Sequence, residues 1–177
     1  MNLDFKKAFK KRRPLDYIIY SAVILLGIGL DQLTKWLAVT YLKPIDEVAI
    51  IEGVLHLKFH LNPGAAFGSL QNQPYIFNTL SVIIIIGMSL YLFFGHAERM
   101  LGAIASAMII SGGIGNMIDR IAFGEVTDFI YFKLIDFAIF NGADSFVCVG
   151  AGLLVLSLLL DIIKEEREKR QNASDSK

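Results

Sequence analysis

Residues 112–145 read GGIGNMIDRIAFGEVTDFIYFKLIDFAIFNGADS, and the fold turns on them. The pieces GGIGNMIDR, GEVTDF and FNGADS carry Asp119, Asp128 and Asp144 and lie between two strongly apolar segments. An ionised side chain at bilayer depth costs about 2.5 kcal/mol or more, so a chain that keeps such groups beside lipid uses them in buried pairs or in chemistry. The surrounding chain is 54% hydrophobic with a mean hydropathy of +0.54 over 177 residues, too apolar for a soluble domain of that size.

Composition removes several function classes. Net charge is zero, which leaves no basic field for nucleic acid. No GxxxxGK(S/T) phosphate loop occurs, and GGIGN lacks the preceding strand of a dinucleotide site. One cysteine, Cys148, excludes an intrachain disulfide and a Cys-rich metal site. It lies deep in the chain, within Phe146-Val147-Cys148-Val149, so the chain is not expected to be a lipoprotein itself. On an apolar helix with no His nearby, it reads as an inert core residue.

Outward from the decisive stretch, four apolar runs predict membrane helices over 17–39, 75–94, 100–118 and 143–163, in one integral membrane domain over 1–177. The first follows a basic start, Lys6 to Arg13. No small-x-small cleavage site comes after it, so it reads as an uncleaved span rather than a signal peptide. Basic flanks at both ends predict both termini in the cytoplasm. The turn at 95–99 is then cytoplasmic, the excursions 40–74 and 120–140 lie outside, and Gln171–Lys177 reads as a disordered tail. Within the first excursion VLHLKFHL (Val54–Leu61) alternates strictly, predicting a half-buried strand with Leu55, Leu57, Phe59 and Leu61 inward and His56, Lys58 and His60 toward solvent. Val48–Ile51 is its expected partner, turning at Glu52-Gly53. The expected fold is therefore membrane all-α, four transmembrane helices with a small extracytoplasmic β-sheet between the first two.

This topology carries Asp31, Asn62, Asn116, Asp119, Arg120, Asp128, Asn141 and Asp144 to the outer membrane face. Asp31 and Lys35, four apart on a helix, share a face and can pair. Asn116 and Asp119 likewise share a face. No Ser–His pair is at hand, and on a strand His56 and His60 stand about 13 Å apart, too far to hold one metal ion. Carboxylates remain. Two close ones share a proton, so that one works as base on water while the other protonates the carbonyl or leaving group. A metal would ask for more ligands at fixed spacing. From spacing alone Asp119 is as eligible for the pair as Asp128 or Asp144.

In these motifs the sequence resembles the signal peptidase II family of prolipoprotein signal peptidases. The resemblance rests on Asp31-Gln32-x-Thr34-Lys35, Asn62-x-Gly64-Ala65-Ala66-Phe67-Gly68, Gly115-Asn116-x-x-Asp119-Arg120, Gly124-x-Val126-x-Asp128-Phe129 and Phe140-Asn141-x-Ala143-Asp144-Ser145, in the family's order across most of the chain. It implies a membrane aspartyl endopeptidase without a cofactor, with Asp128 and Asp144 catalytic. It also implies that Asn62, Asn116, Arg120, Asn141, Asp31, Lys35 and Asp119 hold substrate or order the site, Asp119 as a structural partner. The implied substrates are lipid-modified prolipoproteins cut before a diacylglyceryl cysteine in the bacterial cytoplasmic membrane, with membrane lipid as surroundings and globomycin-type cyclic peptides as inhibitors. Thr127 and Gly142 stand where the family usually has apolar residues, and Gly142 is expected to loosen a loop; Asp136 is an extra acid to which neither the motifs nor the resemblance assigns a role. The competing reading is a small proton- or ion-coupled transporter, in which intramembrane acids relay ions. Such proteins show repeats or broken helices, and here the acids gather at one face. A non-catalytic scaffold leaves unexplained an Asp128 expected in an exposed loop. The Gly-x-Gly-Asp intramembrane proteases need Asp where Asn116 stands.

Overall fold

The computed structural model describes residues 13–64, 74–94 and 99–175. Helix α1 (Pro14–Leu37) starts on Pro14, whose missing N–H falls where no helical partner exists, and Arg13 pairs with Asp16 in the first turn at 2.9 Å. It runs on into a π-helical turn, Ala38–Leu42. Strands β1 (Glu47–Ile51) and β2 (Leu55–Asn62) follow, then α2 (Pro74–Phe93), α3 (Met100–Phe123), β3 (Val126–Tyr131), a 3-10 turn at Lys133–Ile135 and α4 (Gly142–Asp175).

Three stretches, Pro14–Leu42, Met100–Phe123 and Gly142–Ser174, are long and apolar enough to cross a membrane, and Asn78–Phe93 in α2 is a shorter apolar helix. Helix α3 is the middle of the bundle and packs on α1, α2 and α4. Its buried face is made of small residues, among them Gly102, Ala103, Ser106, Ala107, Ser111, Gly112 and Gly115. In lipid, helix association depends on close packing rather than on apolar burial, and small residues permit it. The closeness is measurable at Gly112, where an added Cβ would lie 2.3 Å from the Ala143 carbonyl oxygen on α4. Leu25, Leu26, Leu158 and Ile162 are exposed and form the outward faces of α1 and α4.

The sheet has antiparallel order β1-β2-β3. Glu47 ties it together, contacting His56 Nδ1 at 2.6 Å, Lys133 at 3.0 Å and Lys58 at 3.7 Å. Beneath it Ala38, Leu42 and Phe129 form a small core with Leu57, Phe59 and Ile130.

Several expectations need correction. The third apolar helix does not stop at 118. Asp119 and Arg120 face inward rather than ending the span, so α3 continues to Phe123, where Gly124 at φ +81° closes it with its N–H on the Arg120 carbonyl. Helix α4 extends through the charged segment to Asp175, so 171–175 is helical rather than a disordered tail, aided by pairs such as Lys164–Glu168. Asp128 lies on β3 and is 1% exposed, not in an exposed loop. His56 is buried against Glu47 instead of facing solvent. The alternation in β2 fails because an extra residue enters between Leu57 and His60 where β2 pairs with β3. Cys148 is exposed on α4, outside the core. Gly142 opens α4 rather than sitting in a loop. The basic start at 1–12, Ala65–Gly68 of the Asn62 motif, most of the turn at 95–99 and residues 176–177 lie outside the described residues.

Candidate active site

Four elements end beside one another where α1, α3, β3 and α4 meet, and their polar side chains form one connected network. Lys35 is its cation. Its Nζ lies 2.9 Å from Asp31 Oδ2 and 3.2 Å from Asp119 Oδ2, and it donates to Asn116 Oδ1 at 2.9 Å. All four groups are nearly inaccessible to solvent. Burying two carboxylates against one ammonium is costly unless further donors reach them. Asp31 Oδ1 accepts the Ala143 N–H at 2.8 Å, and Asp119 Oδ2 accepts the Thr127 N–H at 3.1 Å. Gln32 Nε2 adds donations to Asp31, to Asp119 and to the Gly115 carbonyl at 3.1–3.2 Å. Gly115 is required there, because a Cβ would lie 2.5 Å from Asp31 Oδ2. This half of the network fastens α1 to the start of β3 and the start of α4.

The other half joins Asp128 and Asp144 through two amides. Asn141 Nδ2 donates to Asp128 Oδ1 at 2.7 Å and to Asn116 Oδ1 at 3.0 Å. Asn116 Nδ2 donates to Asp144 Oδ1 at 2.7 Å. Asn62 Nδ2 donates to Asp128 Oδ2 at 2.9 Å, while its Oδ1 accepts the Gly64 N–H at 3.0 Å. Lys35 and Asn141 both donate to Asn116 Oδ1, which fixes that amide with its N–H₂ toward Asp144. Asp144 sits in the first turn of α4, at the positive end of the helix dipole.

The two carboxylates differ in surroundings. Asp128 is buried, while Asp144 is half-buried. Burial pushes the Asp128 carboxyl up to about 7; the Asp144 charge adds to the rise, and the donations from Asn62 and Asn141 oppose it. Arg120 lies within electrostatic reach of Asp144, Asp128 and Asp119, and its buried Nε has no hydrogen-bond partner among the described residues.

The structure thus brings Asp31, Lys35, Asn62, Asn116, Asp119, Asp128, Asn141 and Asp144 into one hydrogen-bonded network, with Arg120 at its edge. Sequence reasoning passed over Gln32 as a site residue, although it adjoins Asp31. The backbone N–H groups of Thr127 and Ala143 carry no signal in residue type. His60, set aside as a strand residue, is exposed and pairs in register with Asp128. Asp136, unassigned from sequence, accepts the Tyr131 hydroxyl at 2.6 Å, away from the network. Among the described residues no group of three or more His, Cys, Asp or Glu is arranged to hold a metal ion.

Comparison with known proteins gives this arrangement a context. Residues 23–160 match the family model described as signal peptidase (SPase) II. The lipoprotein signal peptidase of Halalkalibacterium halodurans is 42% identical over 154 residues, covering 86% of this chain and 99% of that protein. The lipoprotein signal peptidase of Bacillus subtilis is 39% identical over 155 residues, covering 86% of this chain and all of its own length (100%). A bacterial membrane enzyme solved by the in meso method at 2.3 Å resolution superposes with a TM-score of 0.74 at 32% identity, covering 81% of this chain and 89% of its own. A second, solved at 1.9 Å, gives a TM-score of 0.71 at 33% identity, with 80% and 92% covered. A match of this extent, in sequence over nearly whole relatives and in fold with membrane enzymes, makes the chain a member of the signal peptidase II family.

Proposed function

We propose that Asp128 and Asp144 are the catalytic pair of this peptidase. The chain removes signal peptides from prolipoproteins, as its family and relatives do, and the transporter reading has no support from them. The observation that carries the pair is their linkage: two carboxylates from separate elements, joined through Asn141 and Asn116, with Asp128 buried and pushed up to about 7 and Asp144 half-buried at the start of α4. Groups with such divided environments divide acid and base roles.

Asp144 takes the base role. Held by two N–H donors at the N-terminus of α4, it removes a proton from the attacking water as the water oxygen bonds to the scissile carbonyl carbon. Asp128 holds the other proton and gives it to the carbonyl oxygen, forming a neutral tetrahedral species. Collapse of that species breaks the C–N bond, with the Asp144 proton passing to the leaving amine and the hydroxyl proton returning to Asp128. Arg120 stabilises the site's negative charge or the substrate carbonyls. Asp31, Lys35 and Asp119 hold the elements in place.

The bond cut is the one before a diacylglyceryl-modified cysteine. Four spans, the fourth being α2, keep both termini in the cytoplasm and the pair at the outer face of one membrane domain, where a substrate anchored by signal helix and lipid presents its cleavage point. Globomycin-type cyclic peptides block the same site. The test is cleavage by purified protein of a precursor with and without the lipid. Cleavage only of the modified precursor, at the bond before its cysteine, is expected; equal cleavage of both contradicts the proposed specificity.

A further inference from the structure

The chain leaves β3 at Tyr131 and returns to it at Phe140. Ile130 and Phe140 exchange backbone hydrogen bonds at 2.8 and 3.1 Å, and the Phe129 N–H also reaches the Phe140 carbonyl at 3.0 Å. Residues 131–139 therefore form a closed strap with both ends at the candidate site. Phe129 and Ile130 follow Asp128, and Asn141 follows Phe140. Asn141 in turn donates to Asp128 through its side chain and to Asp144 through its backbone.

A side-chain bond closes the strap across its middle. The Tyr131 hydroxyl donates to Asp136 Oδ1 at 2.6 Å. Asp136 lies in the left-handed region, at φ +48°, where it ends the 3-10 turn with its N–H on the Lys133 carbonyl. Such backbone is uncommon outside glycine and persists where the surroundings over-determine it, often at functional sites. The Phe137 N–H donates to the Phe132 carbonyl at 3.2 Å within the same strap. The rings of Phe132 and Phe137 both pack on Phe140, at 5.8 and 5.9 Å. Lys133 on Glu47 holds the outer turn to β1, whereas Tyr131–Asp136 ties one limb of the strap to the other.

We propose that Asp136 is a positioning residue for the cleavage reaction: through Tyr131 it closes the strap and so sets Asn141 against Asp128 and Asp144. The proposal rests on reading these two carboxylates as the catalytic pair of the peptidase, and it gives the acid between them a task. A small shift of Asn141 lengthens its donation to Asp128, which stands at 2.7 Å, and displacements that originate outside the chemistry lower rates steeply.

The test uses Asp136→Gly, Asp136→Asn and Tyr131→Phe in the purified full chain with a lipid-modified precursor. Glycine keeps the left-handed backbone and removes the acceptor; asparagine tolerates that backbone and keeps an acceptor oxygen. Asp136→Gly and Tyr131→Phe are each expected to lower kcat on the order of tenfold with KM little changed, and the double variant no further. Asp136→Asn is expected to keep kcat near the wild-type value. The pH profile separates this from loss of fold. The Asn141 donation opposes the rise of the Asp128 carboxyl, so weakening it moves the alkaline fall of kcat/KM to higher pH, with Asp144, Lys35, Arg120 and Asn62 around Asp128 unaltered. Wild-type kcat and pH profile in folded Asp136→Gly overturn the proposal, as does an equal loss in Asp136→Asn. Wild-type protein that cleaves no precursor contradicts the peptidase reading instead. Amide hydrogen exchange then decides the strap: the Phe140 and Asn141 N–H groups are expected to exchange faster in Asp136→Gly than in Asp136→Asn, and equal rates overturn it.

Discussion

Asn141 and Asp144 cap one another. Asn141 Oδ1 accepts the Asp144 N–H at 3.0 Å while the Asn141 N–H donates to Asp144 Oδ2 at 3.1 Å. The same Asn141 side chain donates to Asp128. One residue therefore starts α4, orients one carboxylate and reaches the other. Asn141→Ala removes the cap and leaves Asp128 short of a donor, and is expected to cost about 2 kcal/mol of stability or more together with activity. Asn141→Ser keeps a capping oxygen but cannot reach Asp128. It is expected to retain more stability than Asn141→Ala at similarly low activity, as thermal unfolding and cleavage assays on the detergent-purified protein will show.

The raised Asp128 carboxyl is expected to make both rate and stability depend on pH. If Asp128 must carry a proton to act, kcat/KM falls as pH rises above about 7, approaching tenfold per unit. For stability the folded value lies above the ordinary carboxylate value of about 3.9, so the folded state holds this proton more tightly than the unfolded state does. The resulting contribution is fully present below about pH 4 and is lost as pH rises through about 7. Asp128→Asn removes it. Unfolding temperatures of wild type and Asp128→Asn measured across this range are expected to show the wild type losing ground with rising pH; parallel curves contradict the assignment.

Lys35 is the counter-ion of Asp31 and Asp119 at once. Lys35→Met leaves both carboxylates buried without a cation and is expected to destabilise by about 3–5 kcal/mol, seen as lost folded protein. Adding Asp31→Asn to Lys35→Met removes one of the stranded charges and is expected to restore part of the yield. Size-exclusion profiles of the single and double variants measure this.

Two glycines in α3 and at its end separate contact from conformation. At Gly115 a methyl meets Asp31 Oδ2 at 2.5 Å, whereas Gly124 has open space but φ +81°. Gly115→Ala is expected to pry α1 from α3 and lower both stability and activity. Gly124→Ala is expected to cost about 1 kcal/mol with activity largely kept. Equal losses in unfolding temperature and cleavage for the two contradict this distinction.

The elements most legible in sequence were those with a strong local signal. Apolar runs located the helices, and alternation in Val54–Leu61 located β2 and, through Glu52-Gly53, its hairpin. The third strand was missed because Val126–Tyr131 reads only as the link between two spans; its partner lies more than sixty positions earlier, at His56–Asn62. Helix ends were misjudged where polar residues face inward, as at Asp119, since polarity in sequence does not say which way a side chain points. The Asp31–Lys35 pair followed from helical spacing. The joining of Asn62, Asn116 and Asn141 to the two carboxylates depends on contacts across four elements, and no spacing along the chain encodes it.

The role of the carboxylates is tested most directly by cleavage of a lipid-modified precursor with purified, folded Asp128→Asn, Asp144→Asn, the double variant and Asp119→Asn. In the proposed mechanism each member of the pair has its own task within one step, so either single change is expected to lower kcat on the order of 10³-fold or more, with little further loss in the double variant. Asp119→Asn, which weakens the tie between Lys35 and the Thr127 backbone, is expected to lose folded protein or substrate affinity along with rate. Substantial turnover by Asp128→Asn or Asp144→Asn, with none by a well-folded Asp119→Asn, would contradict the assignment of the pair.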